Sequence, residues 1–372
     1  MNRLVVLQAD GTITTCAPDG RGRTVVAYGS PHRLHQQPTW SPDSSRIVFS
    51  ALTRAGGLKA AVVFADPDGG DRMEIPMAAP PFYFQWRPDG RAVACLGAGP
   101  LGYDLTVVEP GVASRVLIRG SPLFFQWAPD GSGVAANVGE ERLVLATDDG
   151  ERPLDFTPGT FTAPAWLPAG VIAAVADGDD DGERVALIEP GTGLKRTICR
   201  YDGYARFVPS PDGRRIAFVC GPLRGTPAAP ADALADTDHA IPDALCVYDL
   251  DTDVLDVVWS QPPVAFCWSP DGARLLLLVV PESGGALVRW LAWDGSLEPS
   301  TLSTYVPTAA TARHYLPFAE QYARSQTPWS PDSTAVCWSA RQPDGEDRVW
   351  VQPVGGDATP VCAGSVVSWS PG

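Results

Sequence analysis

A short turn motif recurs along the whole chain of 372 residues, and it constrains the fold more than any other feature. Its clearest copy is WSPDG at residues 268–272, followed by an apolar run that starts at Leu275. Proline presets the second turn position, aspartate bonds nearby backbone N–H groups and glycine closes the turn. Related copies are anchored at Trp40, Trp86, Trp127, Trp166, Pro209, Trp329 and Trp369. Self-similarity at a period of about 20 to 50 residues indicates a repeat architecture.

Each repeat predicts four short β-strands. The turn is followed by a strand-forming run, a tip rich in Gly and Asp, and a second strand, as at residues 61–65 and 104–108. Another turn leads to a third strand, and a short segment then ends in the next anchor, as in FYFQW at 82–86. Four short strands with little helical periodicity form one blade of a β-propeller. We therefore predict an all-β fold, with residues 1–372 forming a single propeller domain.

The repeated turn resembles the repeat of TolB-like, PD40-type β-propellers, and the resemblance covers essentially the whole chain. Aspartate occupies its position in six of the eight copies, while Ala169 and Gly372 replace it in the other two. The resemblance implies the fold but names no function, because one fold carries many functions. Prolyl oligopeptidase-type peptidases also have propellers, but the GxSxG motif of their nucleophile does not occur in this sequence.

The spacing of the copies predicts eight blades. Seven intervals separate the eight anchors, and the residues after Trp369 together with those up to Trp40 supply an eighth interval of similar length. Counted through this junction, Arg3 takes the position of Arg46. The C-terminal segment should then supply the innermost strand of a blade whose outer three strands come from residues 1 to about 30, which leaves no open sheet edge. Seven blades are the alternative if a poorly matched repeat is degenerate.

The composition restricts the classes of partner and the cellular compartment that we expect for this protein. The formal net charge of −15 argues against nucleic acid and anionic membranes as partners. No apolar run approaches the roughly 18 to 20 residues of a membrane helix, and the N-terminal run is too short for a signal peptide. The eight cysteines form no CxxC pair and mostly lie in strand-like runs, so we expect reduced core residues rather than disulfides or metal ligands. A cytoplasmic monomer is expected.

Two repeats are longer than the others and predict insertions at about 221–242 and 303–328. The first is rich in Pro, Ala and Asp and is typical of an irregular loop. The second is expected to carry a short helix within residues 311–326, interrupted at Pro317. Insertions in repeat proteins map to connecting loops, which often form binding surfaces. We therefore predict a binding site at the channel mouth near the second insertion.

The second insertion concentrates polar and aromatic side chains, which makes it the strongest candidate site. The predicted ligand contacts there are Arg313, His314, Tyr315, Gln321, Tyr322 and Arg324. If the protein is a hydrolase or lyase, His314 and Glu320 are the candidate acid and base. An ordinary surface flap is the alternative interpretation.

Two glutamines occupy equivalent positions in the repeated sequence FQW. Gln85 and Gln126 are predicted to lie on the innermost strands of adjacent blades, near the central channel. Both a ligand contact and hydrogen bonding within the protein account for a polar residue at this position.

An acidic segment is a candidate calcium-binding site. Asp177, Asp179 and Asp181 fit the DxDxDG opening of a calcium loop. Ile188 stands where the EF-hand pattern requires glutamate, and the segment falls at a predicted hairpin tip, where Asp and Gly are common. A solvated tip without metal is therefore the alternative.

The sequence favours a binding protein over an enzyme. No nucleophile elbow, phosphate-binding loop, zinc-ligand spacing or dinucleotide fingerprint occurs in a suitable structural context. We expect a non-catalytic propeller that binds a protein or small ligand at the channel mouth, without a resident cofactor. A hydrolase or lyase acting near residues 311–326 is the alternative.

Overall fold

The fold is an eight-bladed β-propeller of four-stranded antiparallel blades, as the repeat spacing predicts. The computed structural model describes residues 2–54, 56–139, 142–154, 157–177, 182–222 and 243–372. The chain divides into two compact units. Unit 1 comprises residues 1–119, 280–292 and 300–372, and unit 2 comprises residues 120–279 and 293–299. The single domain over residues 1–372 stays a prediction.

The strands follow one another in the order that the repeats predict. The first fifteen are β1 (Leu4–Leu7), β2 (Ile13–Cys16), β3 (Thr24–Ala27), β4 (Arg33–Trp40), β5 (Ile47–Thr53), β6 (Lys59–Ala65), β7 (Met73–Met77), β8 (Tyr83–Trp86), β9 (Val93–Gly99), β10 (Gly102–Val108), β11 (Arg115–Gly120), β12 (Leu123–Trp127), β13 (Val134–Val138), β14 (Arg142–Thr147) and β15 (Gly150–Pro153). The next are β16 (Ala165–Trp166), β17 (Ile172–Ala176), β18 (Glu183–Glu189), β19 (Gly193–Tyr201), β20 (Ala205–Pro209), β21 (Arg215–Cys220), β22 (Leu245–Asp249), β23 (Leu255–Trp259), β24 (Ala265–Trp268), β25 (Leu275–Val279), β26 (Val288–Trp293), β27 (Ser300–Tyr305), β28 (Ala335–Arg341), β29 (Asp347–Pro353), β30 (Thr359–Ala363) and β31 (Val366–Trp369).

The repeated turn is held by the same hydrogen bonds in each well-matched copy. In the first full copy, Ser41 Oγ donates to Asp43 Oδ1 at 2.6 Å and accepts from the backbone N–H of Arg46 at 2.9 Å. Equivalent bonds join Ser210 to Asp212, Ser269 to Asp271 and Ser330 to Asp332. Because the serine satisfies the backbone where the next strand begins, the motif fixes both the turn and the start of that strand.

The hydrogen bonds of these turns should make the fold less stable in acid. Hydrogen bonds from Ser41 and Ser330 hold the pKa values of Asp43 and Asp332 below the usual value. A depressed carboxyl pKa stabilises the fold above the unfolded value of about 3.9, and this stability is lost as pH falls through the folded value. We expect Ser41→Ala and Ser330→Ala to cost about 0.5 to 1.5 kcal/mol each at pH 7. The difference from the unsubstituted protein should shrink below pH 4 in denaturant titrations. A difference independent of pH would contradict this explanation.

The anchor tryptophans connect neighbouring blades. In unit 1, Trp86 Nε1 donates to the carbonyl of Thr39, which immediately precedes the anchor of the previous blade, at 3.1 Å. In unit 2, Trp268 Nε1 donates to the carbonyl of Val208 at 2.9 Å in the same way. The indole N–H thus finds a partner while its ring fills the space between blades. Trp86 and Trp268 therefore each join their own blade to the preceding one.

The first and last strands pair within unit 1. Strand β31 is antiparallel to β1, with Leu4 opposite Trp369 and Leu7 opposite Val366. Ser370 Oγ accepts from the backbone N–H of Arg3 at 3.1 Å, and Ser370 N–H donates to the Arg3 carbonyl at 2.9 Å. These are the bonds that Ser41 and Arg46 make in an unbroken copy. The predicted closure and its register are therefore confirmed.

The second insertion is helical, as predicted. Helix α1 (Ala309–His314) is followed by a 3₁₀ turn (Leu316–Phe318) that contains Pro317, and then by helix α2 (Ala319–Tyr322). Thr308 caps α1 by accepting from the N–H of Thr311. Most of the first insertion, residues 223–242, lies outside the described residues.

The cysteines are mostly buried, and the helices are short. All eight cysteines are free thiols, and their predicted core position is confirmed for all except Cys362, which is half-buried. Within the described ranges, no helix is long and apolar enough to cross a membrane.

Candidate functional site

The second insertion packs onto the innermost strands of unit 1. At its start, Thr308 Oγ1 donates to the carbonyl of Ser365, just before β31, at 2.6 Å. Near its end, Gln326 Nε2 donates to Thr39 Oγ1 of β4 at 3.1 Å. Between them, the carbonyl of Gln321 accepts from the hydroxyl of Tyr83 on β8 at 3.1 Å. The insertion is thus fastened to three blades.

Tyr322 is the centre of this buried contact. Its hydroxyl donates to the carbonyl of Phe82 at 2.9 Å and accepts from Gln37 Nε2 at 3.1 Å. Its ring meets Tyr83 edge to face at a centroid distance of 5.1 Å and lies 4.7 Å from the ring of Tyr315. Burial raises the pKa of Tyr322, so the hydroxyl keeps its proton and remains a donor.

Gln37 reaches Tyr322 because β4 is irregular at this position. The pairing of β4 with β5 shifts between Gln36 and Thr39, and Gln37 has a positive φ of 57°. Its side-chain oxygen accepts from Gln326 Nε2 at 3.2 Å. A bulge re-aims a side chain at some cost in backbone strain, which the surrounding contacts must offset. Here the re-aimed amide joins β4 to the insertion.

Arg324 supplies a positive charge beside this buried cluster. Burial lowers its pKa to about 10, while Tyr83 and Glu320 favour the charged form. The side chain is surrounded by protein but keeps part of its surface accessible to water. Burial also raises the pKa of Tyr83 to about 12. At neutral pH the cluster therefore combines a guanidinium cation with neutral phenols.

The predicted ligand residues of the insertion separate into two groups. Tyr315, Gln321, Tyr322 and Arg324 belong to the buried or half-buried side. Arg313 and His314 are exposed in the last turn of α1. Glu320 is half-buried on α2, where its charge acts on Arg324. The structure thus places the two candidate acid–base residues in different surroundings.

The two glutamines of the FQW repeat differ in their environment. Gln85 is buried on β8, opposite Ala94 of β9. Gln126 is half-buried on β12, and its side-chain oxygen accepts from the backbone N–H of Trp166 at 2.7 Å. The amide of Gln126 therefore joins two neighbouring blades of unit 2.

The acidic tip is described only at its start. Asp177 follows β17, and its carbonyl accepts two hydrogen bonds from the guanidinium of Arg184, at 3.1 and 2.6 Å. Asp179 and Asp181 lie outside the described residues. Over the part of the chain that the structure covers, no three His, Cys, Asp or Glu side chains are grouped as metal ligands.

Gln37, Tyr83 and Gln326 are site residues that the sequence interpretation missed. One signal was present for Gln37, because Pro38 interrupts a strand pattern and proline within a strand marks a bulge or an edge. The sequence also gave no sign of a cavity of about 400 Å³ in unit 1. Its lining includes Gln8, Asp10, Arg341, Asp347 and Ser365.

Several loops at one end of the unit 1 blades carry exposed apolar side chains. Because antiparallel neighbours reverse direction, the β3–β4, β5–β6, β7–β8 and β9–β10 connections and residues 306–328, between β27 and the anchor Trp329, all lie opposite the repeated turns. We call these connections the loop face. It carries the exposed residues Tyr28, Leu58, Phe82, Leu101 and Phe318. Phe82 joins the loop face to the buried cluster, since its carbonyl accepts from Tyr322 and its ring packs edge to face on Tyr103.

Solved structures show what the fold is similar to. A eukaryotic initiation factor aligns with a TM-score of 0.60 at 13% identity, covering 100% of this chain and 98% of that one. Dihydro-heme d1 dehydrogenase NirN aligns at 0.57 and 14% identity, covering 99% and 74%. The propeller domain of the Trilobed protease from Pyrococcus furiosus aligns at 0.54 and 12% identity, covering 89% and 98%. These similarities define the chain as a β-propeller and show the fold alone.

The predicted family resemblance is supported only at the level of the fold. No family model and no curated protein matches the chain. TolB from Acinetobacter baumannii aligns with a TM-score of 0.41 at 13% identity, over 81% of this chain and 65% of that one. Membership of the TolB-like, PD40-type family stays a prediction.

Proposed function

We propose that this propeller is a non-catalytic binding protein and that its loop face recognises another protein. The observation that carries the proposal is the set of exposed apolar side chains on the loop face, two of which, Phe82 and Phe318, lie on segments that the hydrogen bonds of the buried cluster hold in place. Exposed apolar patches mark interaction sites, whereas single exposed apolar residues are ordinary. Five such residues on the loops of one end therefore indicate an interaction site more strongly than any one of them does alone.

The composition of the loop face suits a protein partner. Aromatic and aliphatic side chains with a few charges at the edge are typical of protein interfaces. Phe318 supplies an aromatic group, and Arg313 and His314 supply polar groups beside it on the same insertion. The formal charge of −15 favours a partner with a basic surface, because complementary charge speeds association.

An anchored insertion also favours binding for an energetic reason. A loop that is ordered before binding loses less conformational entropy in the complex. The contacts of Tyr322, Gln326 and Thr308 order the insertion in the free protein. Within this proposal the protein is a cytoplasmic monomer without a nucleic-acid or membrane partner.

The enzyme alternative has less support. A general acid or base acts within a site that excludes much of the solvent and holds the substrate. His314 is exposed on α1, and the half-buried Glu320 interacts with the charge of Arg324. The ring of β-strands is shared by propellers of different functions, among them a dehydrogenase, so the fold does not favour either alternative.

Substitution of the loop face tests the proposal. We expect the unsubstituted protein, used as bait in native lysate, to retain a partner at near-stoichiometric amounts. Leu101→Asp combined with Phe318→Asp should reduce capture at least tenfold, because buried carboxylates disfavour an apolar interface. Val112→Asp is the matched control, since Val112 is exposed on unit 1 at the end that carries the repeated turns. Equal capture by both variants would contradict the proposed surface.

A further inference from the structure

Two cysteines from different blades lie near the paired strands β1 and β31 of unit 1. Cys16 ends β2 of the first blade, and Cys362 lies on β30 of the last. Both belong to one apolar cluster that also contains Leu4, Val349 and Trp369. The Cys16 and Cys362 thiols lie close enough to shift each other's pKa. The two sulfur atoms are therefore neighbours in space although their residues lie near opposite ends of the chain.

The backbone around the pair confirms that the two strands approach closely. The turn after β2 contains Gly20, which has a φ of +82°, and a Cβ atom placed there would lie 2.9 Å from the Val361 carbonyl oxygen. A side chain at position 20 would collide with the backbone of β30. This close approach places Cys16, at the end of β2, next to Cys362, which follows Val361.

The two thiols differ in accessibility and in proton affinity. Cys16 is fully buried, while Cys362 is half-buried. The neighbouring Cys16 thiol and the positive charge of the exposed Arg23 lower the pKa of Cys362. The neighbouring Cys362 and burial raise the pKa of Cys16. Cys362 thus carries the accessible thiolate, which is the reactive form, and Cys16 holds the proton.

We propose that Cys16 and Cys362 are a redox-sensitive thiol pair that hydrogen peroxide converts into a disulfide between the first and last blades. The Cys362 thiolate attacks one oxygen of the peroxide, so an S–O bond forms, the O–O bond breaks and the departing hydroxide takes a proton to become water. The product at Cys362 is a sulfenic acid. Cys16 sulfur then attacks this sulfur, and its thiol proton leaves with the hydroxyl group as a second water.

The order of the two steps follows from the charges. While Cys362 is a thiolate, its negative charge holds the proton on Cys16. Formation of the sulfenic acid removes that charge, which frees Cys16 to lose its proton and attack. Overall, two thiols lose two electrons and peroxide is reduced to two molecules of water. The disulfide would covalently join the first blade, which β1 and β31 complete, to the last blade, which contains β30.

A second pair of cysteines provides an internal control. Cys199 on β19 and Cys220 on β21 are also neighbours, since Cys199 raises the pKa of Cys220, but both are buried. They share proximity with the first pair and lack the half-exposed thiol beside an arginine. A comparison of the two pairs therefore separates reactivity from simple closeness.

Oxidation of the full-length chain tests the proposal directly. The protein is treated with about equimolar hydrogen peroxide, remaining thiols are alkylated, and peptides are analysed without reduction by mass spectrometry. We expect a peptide pair joined through Cys16 and Cys362, with Cys199 and Cys220 still alkylated. Absence of this pair after oxidation, or bonds formed equally among the other cysteines, would overturn the proposal.

Two surface variants test the mechanism without disturbing the core. Arg23→Gln should slow alkylation of Cys362 by iodoacetamide several-fold near neutral pH, whereas Arg21→Gln, on the same exposed turn, should leave the rate unchanged. Cys16→Ser should stop oxidation at a Cys362 sulfenic acid that dimedone traps. Equal rates in the two arginine variants would overturn the assigned role of Arg23. If the serine variant does not fold, the mass-spectrometric result for the unsubstituted chain still decides whether the disulfide between Cys16 and Cys362 forms.

Discussion

Removal of residues 365–372 is expected to abolish the cooperative unfolding of unit 1. The deletion takes away β31, which pairs with β1, and the side chain of Trp369, which is 2% exposed. Loss of a buried tryptophan alone costs about 3 to 5 kcal/mol, which is a large part of the stability of a typical domain. The broken pairing also leaves β1 with an unpaired edge. Denaturant titration followed by circular dichroism measures the loss.

A shorter truncation provides the matched control. Removal of only Pro371 and Gly372 keeps β31 and eliminates chiefly the hydrogen bonds between Gly372 and Ser44. We expect this variant to unfold cooperatively, with a loss of about 1 to 2 kcal/mol. A synthetic peptide of residues 364–372 should partly restore the longer deletion in a concentration-dependent way. Equal stability of the two truncated proteins would show that the terminal strand does not close the blade.

Substitution of Tyr322 is expected to detach the insertion from the blades. Tyr322→Phe removes the hydroxyl that donates to the part-buried Phe82 carbonyl and accepts from the buried Gln37 amide, so both groups lose a partner. An unsatisfied buried group costs about 1 to 3 kcal/mol. Tyr322→Ala also removes the ring contacts with Tyr83 and Tyr315 and should cost more. Hydrogen exchange within residues 309–326 should accelerate by one or more orders of magnitude in the alanine variant.

The control for this prediction lies on the same insertion. His314→Ala removes an exposed side chain from α1 and should change neither hydrogen exchange nor unfolding. Capture of the partner should weaken in Tyr322→Ala, because the detached insertion would lose conformational entropy when it becomes ordered in the complex. Unchanged exchange in the alanine variant would mean that other contacts order the insertion.

Much of the fold could be predicted because its information is local and repeated. Every copy of the turn carries the proline, and four copies also carry the hydrogen-bonded serine and aspartate, so eight similar segments specify eight similar blades. The closure was predictable for the same reason, because Arg3 and Ser370 divide one copy of the motif between the two ends of the chain. Their hydrogen bonds repeat those of Ser41 and Arg46.

The candidate site was predictable only in part, because its contacts are long-range. The sequence singled out the polar and aromatic side chains between Arg313 and Arg324 as an unusual group, but it did not distinguish side chains that hold the insertion in place from those that face outward. Tyr322 bonds to Gln37 and Phe82 across 285 and 240 residues of sequence. No turn or strand pattern encodes such pairings. The irregularity of β4 at Gln37 adds a side-chain direction that an ideal strand would not have.

Hydrogen exchange of the protein with and without its captured partner tests the central proposal most directly. If the loop face is the recognition surface, binding should protect the peptides that contain Tyr28, Phe82, Leu101 and the insertion at 309–322, and leave the repeated turns at 41–45 and 87–90 unchanged. Protection of those turns instead, with the loop face exchanging at its free rate, would contradict the proposal.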